Sequence, residues 1–111
     1  MTTVLNKDML SANCTPKLTA IRQTNLFEIN KVPFRVGKEA SFVDYCISDN
    51  TAVSRSHANI VKRGNDYFIV DTNSTNHTYV NGAMIQSNVE IKLEENTRIK
   101  FANEEFEFRF F

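Results

Sequence analysis

The sequence predicts an all-β protein, a sandwich or a barrel of short strands, and three observations carry that prediction. Near the C-terminal end Phe106, Phe108 and Phe110 alternate with Glu105, Glu107 and Arg109. Just upstream, Val89, Ile91 and Leu93 alternate with Glu90, Lys92 and Glu94, and Thr97, Ile99 and Phe101 alternate with Arg98 and Lys100. Successive side chains of a strand point to opposite faces, so each run has one face to bury. Asn, Gly, Asp and Ser break the chain at short intervals between such runs, and no segment gives a convincing amphipathic helix.

Along the chain, residues 1–15 are polar without sustained periodicity and read as a tail or linker closed by Pro16. Residues 16–111 read as one folded domain, with no internal repeat. Strand candidates precede the three runs above at 17–22, 26–30, 32–37, 45–47, 57–62, 67–71 and 78–80. Arg63-Gly64-Asn65-Asp66 joins 57–62 to 67–71 as a hairpin, and Asn81-Gly82 suits a type I′ turn with two positive φ angles.

Composition narrows the function. A chain of 111 residues suits a single core. Thirteen Lys and Arg balance thirteen Asp and Glu, so the basic footprint of a general nucleic-acid binder is missing. An anion would have to be met by a few placed cations and backbone donors. No apolar run approaches the length of a membrane span, and the first residues lack the apolar block of a signal peptide. Neither a nucleic-acid nor a membrane partner is expected. Cys14 and Cys46 form no C-x-x-C pair and read as free thiols of a reducing cytoplasm. With His57 and His77 they make no zinc-type spacing, and no metal or cofactor is expected. Cys46, within Tyr45-Cys46-Ile47, reads as a buried, inert thiol.

A hairpin sets the start of its first strand beside the end of its second. The segment Ser54-Arg55-Ser56-His57 must therefore lie next to the segment running from Asp71 to Thr78, Asp71-Thr72-Asn73-Ser74-Thr75-Asn76-His77-Thr78. Both are rich in hydroxyls and amides, and Arg55 offers a fork of donors that fits phosphate. Ser, Thr and Asn are also common in turns because they bond their own backbone, so composition leaves a ligand role and a turn role both open. Ser54, His57 and Asp71 do not read as a hydrolase triad, because the Gly-x-Ser-x-Gly elbow is missing. Glu94-Glu95 and Glu104-Glu105 read as solvated pairs at turns. The Phe106, Phe108, Phe110 stripe reads as core, since a nucleic-acid stacking platform needs a basic groove beside it.

Taken in order, Phe34-Arg35-Val36-Gly37-Lys38, Val53-Ser54-Arg55-Ser56-His57-Ala58, Asp71 to Thr78, and Tyr79-Val80-Asn81-Gly82 resemble the forkhead-associated (FHA) domain family. The resemblance covers about residues 16 to 111. Each motif alone is weak, and the ordered set is specific. It implies a β-sandwich of two antiparallel-rich sheets with about eleven strands and ligand loops at one end, a binding module and not an enzyme. It implies that Lys38, Ser54, Arg55, Thr75 and Asn76 bind a phosphothreonine peptide, with Gly37 and His57 supporting the site. Lys38 stands where the family usually has arginine, and His77 where it usually has glycine. The function implied is phosphothreonine-dependent binding of a protein or peptide in Ser/Thr kinase signalling. The alternative is a sandwich that has lost phosphate reading and serves as a structural or oligomerisation module. Some bacterial members of the family carry a threonine pair as a kinase target. Thr2 and Thr3 are thus candidate phosphorylation sites, and the protein's own N-terminal tail a candidate partner.

Overall fold

The alternating runs become strands, and their apolar faces meet. The structure, a computed structural model, describes residues 17–20 and 26–110. Thr2, Thr3, Cys14 and the boundary at Pro16 lie outside the described residues. In chain order the strands are β1 (Lys17–Ala20), β2 (Leu26–Glu28), β3 (Phe34–Gly37), β4 (Tyr45–Cys46), β5 (Ala58–Arg63), β6 (Asp66–Asp71), β7 (Thr78–Val80), β8 (Ala83–Met84), β9 (Ile91–Leu93), β10 (Thr97–Phe101) and β11 (Glu104–Arg109). Among the described residues one 3-10 turn spans Ala40–Phe42.

Two sheets result, one ordered β2-β1-β11-β10-β7-β8 and the other β4-β3-β5-β6-β9. Pairing is antiparallel except between β3 and β4. The core lies between the sheets. β10 and β11 supply Ile99, Phe101, Phe106 and Phe108, and the opposing sheet supplies Phe34, Val36, Ile60, Ile69 and Leu93, all buried. Fully burying one such side chain stabilises by about 1.5–3 kcal/mol. Phe101 meets Phe106 with centroids 5.4 Å apart, and Phe108 meets Phe110 at 5.3 Å, both edge to face. The phenylalanine stripe is core.

Both turns take shape as expected. Arg63 pairs with Asp66 across Gly64-Asn65, where Gly64 has φ 64°. Asn81 and Gly82 have φ 49° and 88°, the two positive angles of a type I′ turn. The departures are local. β8 escaped the sequence because it has two residues, both exposed, and so no buried face to signal. Val89 is exposed and precedes its strand: pairing with β6 begins only at Ile91↔Ile69, after the Asn88 N–H has bonded to the Asp71 carbonyl. β3 begins at Phe34, not at residue 32, beyond Pro33, which has no N–H for a ladder. Glu104 and Glu105 open β11 instead of occupying a turn, and Glu105 faces Arg98. Cys46 is half-buried, its thiol donating to the Lys38 carbonyl at 3.2 Å.

Candidate functional site

The β5–β6 hairpin, paired from Ala58↔Asp71 to Arg63↔Asp66, brings the two polar loops together at one end of the sandwich. Thr72 ties them: its N–H donates to the His57 carbonyl at 3.1 Å and its hydroxyl to the Ser56 carbonyl at 2.9 Å. A third loop joins at the end of β3. The Lys38 N–H donates to the Ser54 carbonyl at 2.9 Å and the Glu39 N–H to that of Arg55 at 3.2 Å. Gly37 makes this approach feasible, because a Cβ there would overlap the Arg55 carbonyl. Its role in the site is one of close contact.

His57 is fully buried and braces the loop ahead of β5. Its Nδ1 accepts the Ser54 N–H at 3.0 Å, and its Nε2 lies 2.9 Å from the His77 carbonyl. A carbonyl only accepts, so Nε2 carries the proton and the ring is neutral. Burial pushes its pKa below the ordinary 6.5 and so favours the same form. The ring stands edge-on to Phe101, with centroids 5.8 Å apart. This geometry assembles no Ser-His-Asp relay. His57 receives the backbone N–H of Ser54, while the Ser54 Oγ accepts the Thr75 N–H at 3.0 Å.

Asp71 does the corresponding work after β6, a bracing role that its place at the head of the polar loop did not reveal. Its buried carboxylate accepts the Ser74 hydroxyl at 2.5 Å, the Ser74 N–H at 3.2 Å, and the Thr78 and Ser87 hydroxyls at 2.6 Å. Burial raises its pKa, but the hydrogen bonds from Ser74, Ser87 and Thr78 outweigh that and hold it below the usual carboxylate value. The spacing Asp71-Thr72-Asn73-Ser74 was a legible signal, since a short acidic side chain readily bonds a backbone N–H a few residues on. Ser87 gave none. Asn50 was missed as well. Its amide donates to Asn103 and Glu104 at 2.6 and 2.9 Å, and its Oδ1 accepts the Ala52 N–H, which fixes the loop before Ser54 to the β10–β11 turn.

Between these loops opens a cleft of about 420 Å³, lined by Lys38, Thr51, Ala52, Val53, Ser54, Arg55, Asn73, Thr75 and Asn76. Lys38, Ser54, Arg55, Thr75 and Asn76, scattered over three loops, thus share one surface, with Gly37 and His57 directly behind it. Asn76 is steadied by donation from its Nδ2 to the Ala52 carbonyl at 2.8 Å, which leaves its Oδ1 as an acceptor. Lys38 and Arg55 make no ion pair with a described carboxylate. Arg35, close by in sequence, differs: its N–H and Nε both donate to Asp44. Asp44 is partly buried, which raises its pKa, yet these bonds and Lys31 bring it down to about 2. Asp44 therefore stays ionised and paired with Arg35 over the ordinary pH range. Among the described residues no group of His, Cys, Asp or Glu is arranged to hold a metal ion.

The FHA domain family profile matches residues 34–102, well over half of the chain. The chain belongs to the FHA family. This FHA domain resembles EmbR of Mycobacterium tuberculosis in complex with a low affinity phosphopeptide, at 28% identity and TM-score 0.81, over 87% of this chain and 24% of EmbR. It spans about a quarter of that protein. It also resembles an FHA domain studied for phosphothreonine-dependent interactions, at 26% identity and TM-score 0.75, over 86% of this chain and 95% of the other. The FhaA FHA domain, complexed with the intracellular domain of Rv3910, gives 25% identity and TM-score 0.75, over 86% of this chain and all of that one. No curated protein matches the sequence. Within this FHA domain His77 takes φ 69°, the left-handed region that favours glycine. Its carbonyl is the acceptor for His57 and for the Ala102 N–H at 2.9 Å.

Proposed function

We propose that this FHA domain binds phosphothreonine-containing peptides or proteins at the cleft, as a non-enzymatic module of Ser/Thr kinase signalling. The observation that carries the reading is the convergence of Lys38, Ser54, Arg55, Thr75 and Asn76 on one open surface whose two cations have no described anionic partner. A phosphothreonine brings about −1.5 to −2 charges and three acceptor oxygens. Lys38 and Arg55 match that charge. Ser54 keeps its hydroxyl proton to donate, because its oxygen already accepts from Thr75. Thr75 supplies a further hydroxyl, and the free Oδ1 of Asn76 accepts from the peptide backbone in this reading. EmbR with its phosphopeptide supports the reading by likeness.

Calorimetry with a diverse phosphothreonine peptide library tests it. Saturable binding of phosphorylated peptides and not of their unphosphorylated forms is expected. Absence of binding across the library would leave a structural sandwich instead. Arg55→Ala should weaken binding about ten- to a hundredfold, the loss of a charge-assisted bond, with the melting temperature unchanged. A phosphorylated Thr2 or Thr3 is a ligand of the same chemistry. The intervening segment from Val4 to Thr15 spans at most about 40 Å extended, enough to reach many places on the body. A tethered phosphothreonine would act at about millimolar effective concentration. Protein phosphorylated at Thr2 or Thr3 should lose affinity for an added phosphopeptide, as a monomer if capture is in cis and as a dimer if in trans. Unchanged affinity and mass would remove the tail as a partner.

A further inference from the structure

The two parts of the loop before β5 are held by different means. Its last residues, Ser54 and Arg55, accept the Lys38 and Glu39 N–H groups at their carbonyls, and the Ser54 N–H is bonded to His57. Its earlier residues, Thr51, Ala52 and Val53, also line the cleft, and they are held by Asn50, which does not line it. The Val53 N–H donates to the Asn50 carbonyl at 3.2 Å, closing a turn, and the Asn50 Oδ1 caps that turn by accepting the Ala52 N–H at 2.9 Å. The Asn50 amide donates to the Asn103 Oδ1 at 2.6 Å and to the Glu104 Oε1 at 2.9 Å, which uses both of its N–H bonds. A trans peptide unit is planar, with its N–H and carbonyl pointing opposite ways. Turning the Val53 N–H in toward Asn50 therefore turns the Ala52 carbonyl out, where it accepts the Asn76 Nδ2 at 2.8 Å.

The loop that carries Asn76 has its footing on the same β10–β11 turn. The Ala102 N–H donates to the carbonyl of His77, the residue after Asn76, at 2.9 Å. Both sides of the Asn76–Ala52 bond are thus tied to Ala102, Asn103 and Glu104, none of which lines the cleft. The geometry points to Asn50 as a positioning residue for peptide recognition: through the Ala52 carbonyl it holds the Asn76 amide with a donor occupied and its Oδ1 left for the ligand. This rests on the phosphothreonine reading above. His57 serves the phosphate contact through Ser54, and Asn50 serves the peptide-backbone contact through Asn76. Loss of the Asn50 side chain releases the turn, and ordering Asn76 again at each binding event lowers affinity.

The test measures phosphothreonine-peptide affinity by calorimetry in a double-mutant cycle of Asn50→Ala and Asn76→Ala. Asn76→Ala should weaken binding about five- to tenfold, the worth of one neutral hydrogen bond, and Asn50→Ala about three- to fivefold. The double variant should bind within about twofold of Asn76→Ala alone. In an Arg55→Ala background Asn50→Ala should still cost its full factor, because Ser54 and Arg55 have their own bonds to His57, Lys38 and Glu39. Asn103→Ala removes one of the two bonds to the Asn50 amide and should weaken binding about two- to threefold, an effect that also vanishes in the Asn76→Ala background. This variant decides the matter if Asn50→Ala does not fold. Losses that add between Asn50 and Asn76 would overturn the assignment, and so would equal coupling of Asn50 to Arg55 and to Asn76, the mark of a loop loosened as a whole. Native affinity in Asn76→Ala would overturn it too, while leaving the phosphothreonine reading in place. Failure of the native protein to bind any phosphothreonine peptide would overturn that reading itself, and this assignment with it.

Discussion

The loop entering β5 hangs on His57, a neutral ring with one donor and one acceptor, whereas the loop leaving β6 hangs on Asp71, a carboxylate that accepts four hydrogen bonds. Both anchors are buried, and both present the cleft residues through backbone and hydroxyl groups. They differ in charge and in reach. His57 ties its own loop to the far loop through the His77 carbonyl, so it couples the two. Asp71 gathers Ser74 and Thr78 from its own loop and Ser87 from beyond β8, so it makes one loop rigid. A buried charge is tolerated only when its lone pairs are filled, and here Ser74, Thr78 and Ser87 fill them. A neutral ring needs only two partners, and its removal leaves fewer groups stranded.

That contrast can be broken most forcefully at the carboxylate. Asp71→Ala strands the Ser74 N–H and three hydroxyls at once, and should destabilise the domain by about 3–5 kcal/mol by chemical denaturation. A loss no greater than that of an ordinary surface substitution would show that the hydroxyls find other acceptors. His57→Ala strands the Ser54 N–H and leaves the His77 carbonyl with the Ala102 N–H alone, with an expected cost of about 1–3 kcal/mol. An unchanged melting temperature with lost peptide binding would make His57 a ligand contact and not a brace.

Acid should separate the two loops. Folded His57 has a pKa below 6.5, so between that lowered value and 6.5 the unfolded chain holds a proton that the folded chain does not. The stability from His57 is therefore complete above pH 6.5 and is lost as pH falls from there through the folded value. Asp71, also lowered from its ordinary 3.8, keeps its contribution until the pH drops below about 3.8. Hydrogen-exchange protection of the Ser54 amide should fall as the pH drops below 6.5, while that of the Ser74 amide holds down to about 3.8. Simultaneous loss of both would mean that the loops open as one unit. The smallest effect concerns the link between them. His77→Gly removes a side chain from a left-handed position and should raise stability by about 0.5–1 kcal/mol. A decrease would mean that the exposed His77 ring makes a contact worth more than the backbone strain.

The elements most legible in the sequence were those with a buried face. The runs that became β10 and β11 declared themselves through Ile99, Phe101, Phe106 and Phe108, because a strand with one side in the core must alternate. β8 did not, since Ala83 and Met84 are both exposed at a sheet edge. The same logic divides the site. Ser54, Arg55, Thr75 and Asn76 stood out because the hairpin at Gly64-Asn65 brought two polar loops together and the family resemblance ordered them. The Asp71–Ser87 bond left no trace, because it joins residues across β7 and β8 by tertiary packing alone.

By itself the sequence determined that this chain would form a β-sandwich, where its hairpins would turn, and which polar residues would meet. Period-two burial and turn chemistry are local, and local rules can be read along a chain. Tertiary structure alone decided how those residues are held: Gly37 admitting the Arg55 carbonyl, His57 fixed as the Nε2 tautomer by the His77 carbonyl, and Arg35 paired with Asp44 while Arg55 and Lys38 have no described carboxylate partner. Each of these depends on which donor or acceptor a distant segment places within about 3 Å, and spacing in sequence does not encode that distance.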